Sequence, residues 1–170
     1  MLGFCFMSDS MYSVNNDGSD NGISVLSQLK EIVNKKVKRD DVFIEVPERN
    51  GVKILISPNI TQQQLKSWQR LAGAETKNGI DATKFACLVV ANTTTGIYLN
   101  GREALDEGGN PIGFASAEML EMTSSGRAIE AVVAFFGLDP HVEAAALAIL
   151  DAAGYGDTIE TIKENPTNQS

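Results

Sequence analysis

The run VFIEVPERNGVKILISPNIT, residues 42–61, constrains the fold more than any other part of the chain. Val42, Ile44 and Val46 alternate with Phe43 and Glu45, and Val52, Ile54 and Ile56 alternate with Lys53 and Leu55. A period of two puts one set of side chains on a single face of a strand and scatters the same set around a helix. The intervening PERNG ends in Asn50-Gly51, the dipeptide that most readily adopts the positive φ angles of a tight hairpin turn. Pro47 has no N–H to give to a ladder and suits a strand end or an edge. An antiparallel hairpin is expected, and none of its side chains is reactive.

On both sides of the hairpin the apolar period changes to that of a helix. Upstream, Val25, Leu26, Leu29, Ile32 and Val33 recur at helical spacing with Ser24 as N-cap. Downstream of Pro58, Thr61 caps a helix whose expected stripe is Leu65, Trp68, Leu71 and Ala72, ended by Gly73, with Trp68 read as core. Asp81 caps another, with Phe85, Leu88, Val89 and Asn92 as its face. Asn100-Gly101 and the glycine-rich turn before Pro111 predict a second hairpin or a meander. The last third is helical. A short helix runs over 118–122 after Ser116, a stripe of Ile129, Val132, Val133 and Phe136 closes at Gly137, and Asp139-Pro140 starts a final helix as N-cap and proline. That helix turns Val142, Ala146, Ile149, Leu150 and Ala153 inward and ends at Gly154. Strands early and helices late predict an α+β fold, an early β hairpin or hairpins packed with a predominantly helical C-terminal part.

The polar, acidic run of residues 8–22 lacks the apolar surface needed to offset ordering, so residues 1–22 are expected as a disordered leader. Met7 and Met11 within it are alternative starts. Residues 23–156 are expected as one globular domain and residues 157–170 as a flexible tail.

With 14 basic and 22 acidic residues the formal charge is −8, which opposes broad binding to nucleic acid or anionic membrane. The basic run at residues 35–39 reads as a solvated helix end complementing the helix dipole. Cys5 and Cys87 are too few for a disulfide framework or a metal knuckle and are expected as reduced thiols of a cytoplasmic protein. No segment approaches the roughly 20 apolar residues of a membrane span.

Reactive constellations are missing. The single histidine, His141, falls in a helix first turn and is expected at the surface, which disfavours histidine-based catalysis and metal binding. Residues 106–110, DEGGN, lack the alternating donors and closing glutamate of a calcium loop and read as a turn. No glycine cluster is followed by the lysine and hydroxyl of a phosphate loop. Catalytic, cofactor-binding and metal residues are therefore expected to be none. Phe135 and Phe136 are adjacent and lie about 100° apart on a helix, so they cannot share one narrow stripe. If Phe136 is core, Phe135 faces a second surface, either another helix of the domain or a partner.

The segments VFIEVPERNGVKILISPNITQQQLKSWQRLAG, GNPIGFASAEMLEM and AIEAVVAFFGLDPHVEAAALAILDAAGYG, together with their order, resemble the tail assembly chaperones of long-tailed (siphovirus-type, actinobacterial) bacteriophages. The resemblance spans residues 41–156 and rests on hydrophobic spacing and turns. It implies a non-enzymatic protein of the host cytoplasm, missing from the mature virion, that binds the tape-measure protein and helps recruit tail-tube subunits. It also implies a frameshifted longer form as a further partner, this chain being the shorter one. No catalytic or cofactor residues are carried over. The physical form of such binding is a helix with two apolar faces, one buried and one offered to a client helix. Ala131, Phe135 and Leu138 are the expected offered face. The rival readings are a structural tail or capsid component and a small cytoplasmic enzyme working without histidine.

Overall fold

A computed structural model describes residues 24–156. The expected leader with Cys5, Met7 and Met11, and the expected tail, lie outside the described residues. Residues 23–156, expected as one domain, fall into two units divided between Lys38 and Arg39. The first holds helix α1 (Val25–Asn34), whose start is set by the Ser24 hydroxyl accepting the Ser27 N–H. None of the α1 residues is buried. The basic run lies beyond α1, which has no basic residue in its last turn.

The second unit opens with strands β1 (Val42–Glu45) and β2 (Val52–Ile56), paired antiparallel with Val42 opposite Ile56 and Ile44 opposite Ile54. The connecting loop differs from the expected Asn-Gly turn. Positive φ falls on Glu48 and Gly51, whereas Asn50 is not in that region. The loop is longer than two residues and is closed by Arg49 N–H to Val46 O and Val52 N–H to Arg49 O. Gly51 is required by its φ of 81°, and a Cβ there would also make the Asn100 side chain turn aside. The Asn100 N–H also donates to Gly51 O, so the tips of two hairpins are joined.

Helix α2 (Gln62–Leu71) starts with a full capping box, Thr61 and Gln64 each satisfying the other's backbone N–H. Leu65, Trp68 and Ala72 are buried, which places Trp68 in the core as expected. Leu71, however, is 58% exposed, because a stripe built on 65, 68 and 72 leaves position 71 about 100° off it. Helix α3 (Ala82–Thr93) is capped by Asp81, and its burial is not confined to one face: every residue of 85–90 is buried. Asn92, expected on that face, is exposed and donates to Leu88 O. Thr93 and Thr94 hydroxyls take the carbonyls of Val89 and Val90, ending the helix directly at strand β3 (Thr94–Leu99).

Strand β3 pairs with β2, and β4 (Arg102–Glu103) follows through Asn100 and Gly101, both at positive φ. The result is one antiparallel sheet of order β1-β2-β3-β4 with helices α2 and α3 inserted between β2 and β3. Helices α4 (Ala117–Met122), α5 (Ala128–Phe136) and α6 (Asp139–Ala153) complete an α+β fold. Gly137 and Gly154, both left-handed, close α5 and α6. Asp139 lies inside α6 and does not cap it. The link from α5 is so short that extended Leu138 holds the N-cap position.

Residues from every layer, including Ile54 and Ile97 of the sheet and Ile149 and Leu150 of α6, form one apolar cluster. Within it, α3 packs against α2, α5 and most extensively α6. Among the described residues no single helix is long and apolar enough to cross a membrane, and α5 and α6 meet at a bend of 108°.

Cys87 on α3 is a free, buried thiol. Burial, with the Asp139, Asp81 and Glu143 carboxylates adding to it, pushes its pKa from 9.0 up to about 12. Folding therefore favours the neutral thiol. Its contribution is complete below about pH 9 and is lost as pH rises toward 12, where only the unfolded chain ionises freely. Peptide mapping after iodoacetamide treatment at neutral pH is expected to find residue 87 unmodified in the native protein and modified in urea. Equal labelling in both would contradict the burial.

Candidate functional site: an apolar groove beside the first hairpin

Arg49 in the hairpin loop is the residue that builds the site. Its Nε–H donates to Phe135 O at 3.0 Å and its Nη2 to Ala134 O at 3.4 Å. These carbonyls lie in the last turn of α5, where backbone acceptors lack helical partners and the dipole favours a cation. The inert hairpin thus positions a charge that fastens the end of a helix 86 residues further along. Between the loop, the end of α4 and the last turn of α5 a shallow groove of about 400 Å³ remains, lined by Arg49, Val52, Met122, Thr123, Ala134 and Phe135. A second hollow of about 290 Å³ under the loop shares Arg49 and Val52 with it and adds Glu45 and Glu48.

The expected offered face is partly corrected. Ala131 is fully buried, so it presents nothing to a partner. Phe135 is half-buried, its ring edge-on to Phe114 at 5.3 Å and to Phe136 at 5.9 Å. It therefore packs within its own domain and also lines the groove. Leu138 is 54% exposed, just past the end of α5. Met122, 64% exposed, and Val52 were not among the expected site residues. A methionine at the end of a six-residue helix was the available signal, since so short an element cannot bury all its apolar side chains.

Truncating Arg49 tests the brace. A charge-assisted hydrogen bond is worth about 1.5–3 kcal/mol, but this one is solvent-exposed and needs discounting for screening. Arg49→Ala is expected to cost about 1 kcal/mol in urea unfolding, with faster amide exchange in the last turn of α5. Unchanged exchange there would show that the cation holds nothing.

The other polar clusters are structural. The Asp106 carboxylate accepts N–H bonds from Gly108 and Asn110, inside a turn closed by the Leu105–Pro111 bridge, and the Asn110 backbone bond leads in lowering its pKa below 3.8. Glu130 is likewise held below its usual range, first by the Gly126 N–H and then by Arg127. His141, expected at the surface, is half-buried, and its Nδ1 is a buried atom without a hydrogen-bond partner among the described residues. Among the described residues no group of three or more His, Cys, Asp or Glu side chains could hold a metal ion.

No family model, no curated protein and no solved structure matches the chain.

Proposed function

We propose that this chain is a non-enzymatic tail assembly chaperone of long-tailed bacteriophages, binding the helical tape-measure protein in the host cytoplasm and helping recruit tail-tube subunits. The observation that supports the reading is the groove. Val52, Met122, Ala134 and Phe135 give it apolar walls, Arg49 braces one side, and its shallow form suits a row of side chains from an amphipathic helix better than a small ligand. Leu138, exposed just beyond Gly137, is a further apolar side chain open to a partner past the end of α5. Weak contacts over so small an area suit a partner that is held and then released.

The test is co-purification of tape-measure segments with variants of the exposed positions. Phe135→Asp is a poor probe because that ring also packs on Phe114. Met122→Asp and Leu138→Asp change half-exposed or more exposed side chains and should leave folding intact. Loss of tape-measure binding in either, at unchanged thermal unfolding, is expected. Binding equal to wild type in both would remove the groove from the mechanism. Stoichiometric recovery of the chain in purified virions would favour a permanent structural component instead. A slippery heptamer ahead of the stop codon, with an overlapping downstream frame, is the expected genetic signature of the longer form.

A further inference from the structure

An Asn-Gly pair carries a reaction of its own. The glycine nitrogen, with no Cβ beside it, can close on the asparagine Cγ. The five-membered ring forms only when that nitrogen and the asparagine Cβ are nearly eclipsed about the Cα–C bond. Three such pairs fall among the described residues, Asn50-Gly51, Asn78-Gly79 and Asn100-Gly101, and the fold restrains two of them. The Gly79 N–H is engaged by Thr76 O at 3.2 Å. Asn100 and Gly101, both at positive φ, make the tight turn between β3 and β4. With Asn100 at φ 52°, turning its peptide toward the ring geometry enters backbone nearly confined to glycine. The Asn100 N–H is also fixed on Gly51 O at 2.8 Å, and the Asn100 side chain lies against Gly51.

Asn50-Gly51 has none of these restraints. Both residues are exposed, and among the described residues the Gly51 N–H, the Asn50 carbonyl and the Asn50 side-chain amide make no hydrogen bond. Val52 N–H to Arg49 O, at 3.0 Å, closes the turn around them. Asn50 is not at positive φ and Gly51 stands at 81°, a type II arrangement. Types I and II differ by rotation of the central peptide, so this peptide can turn while the closing bond stays in place.

We infer that Asn50-Gly51 is a site of spontaneous self-modification, and that its reaction loosens the hold of Arg49 on α5. The Gly51 nitrogen gives up its proton and bonds to Asn50 Cγ. The Cγ–Nδ2 bond breaks, and the amide leaves as ammonia, taking up a proton. Water then opens the succinimide at one of its two ring C–N bonds, giving aspartate or isoaspartate with no change of oxidation state. Either product sets a carboxylate beside Arg49, where it competes for the guanidinium that donates to the Ala134 and Phe135 carbonyls. Isoaspartate also adds a main-chain atom between Arg49 and Val52, so the turn cannot close as before. The inference uses the loop alone and stands apart from the chaperone reading.

The full chain is incubated at mildly alkaline pH, folded and in urea, and each pair is followed by tandem mass spectrometry, with isoaspartate separated from aspartate by chromatography. Asn21-Gly22 lies outside the described residues and is read as a separate peptide. In the folded protein Asn50 is expected to convert first. Asn100 should be about tenfold slower, a barrier difference of about 1.4 kcal/mol. In urea the three rates should draw together, because the fold is what separates them. Folded-state conversion at Asn50 no faster than at Asn78 or Asn100 overturns the site. Amide exchange in the last turn of α5 tests the consequence. It should be faster in aged than in fresh wild type, and unchanged by ageing in Asn50→Ser, which keeps a residue that the turn accepts. Unaltered exchange in fully converted wild type overturns the link to Arg49, and so does an equal change on ageing in Asn50→Ser.

Discussion

Phe85→Ala is expected to lower the free energy of unfolding by about 3–5 kcal/mol, the range for removing a buried aromatic ring without refilling its space. Phe85 is 0% exposed on α3, the helix that packs against α2, α5 and α6 together. Elements on several sides of the cavity would have to move for it to collapse, so relaxation should recover little. Since domains of this kind are stable by roughly 5–15 kcal/mol in all, the variant is expected to be partly unfolded at 37 °C or close to it. Urea unfolding followed by circular dichroism gives the measurement: a lower midpoint at unchanged slope. A loss under about 1 kcal/mol would mean that α3 is not the centre of the core.

Gly73→Ala is the second large effect, and its origin is the backbone. Gly73 follows α2 with a φ of 107°, a conformation that L residues rarely adopt. A Cβ there would stand 2.8 Å from the Gly79 carbonyl oxygen and 3.2 Å from the Thr76 hydroxyl. Neither neighbour is free to retreat. The hydroxyl donates to Gly73 O at 2.7 Å, and the loop is pulled tight by Asp81 N–H to Ala72 O at 2.8 Å. The strain alone is worth about 1–3 kcal/mol, and the contact with the Gly79 oxygen pushes the expected loss to the top of that range. Gly113→Ala is the control, because φ there is not positive and nothing lies within 4 Å of its Cβ position. It should be neutral or slightly stabilising through the unfolded chain. Equal losses in the two variants would rule out the strain account.

Much of the architecture is legible in the sequence. Ser24, Thr61 and Asp81 cap the helices they were expected to cap, and Asn100-Gly101 makes the turn between β3 and β4. Each of these signals involves a side chain and a backbone group within about four residues, so the chain writes them locally. The misses have a different character. Spacing alone predicts Leu71 and Asn92 inward, yet spacing specifies a stripe and not where its edges fall at a helix end. Asp139 looked like a cap, but the left-handed turn at Gly137 moved the start of α6 back to Leu138. The sequence predicts Ala131 on the offered face with Phe135, and α5 instead turns that position fully into the core.

The groove was least legible of all. Adjacent phenylalanines showed that α5 must have two apolar surfaces, but not what would cover the second. Phe114 covers part of Phe135, and Arg49, Met122 and Val52 frame the rest. These residues are brought from a loop, a short helix and a strand, and nothing in their types announces a shared place.

The sequence by itself determined the kinds of element, most of their ends, and the α+β order with its early hairpin, because caps, turns and periodicity act through neighbouring residues. The tertiary structure alone decided that α3 is buried nearly all round, that Ala131 lies inside and Leu71 outside, and that the hairpin's arginine fastens α5. Those outcomes join residues as far apart as 86 positions. A contact at that separation depends on how whole helices and strands stand against one another, which no short run of residues encodes.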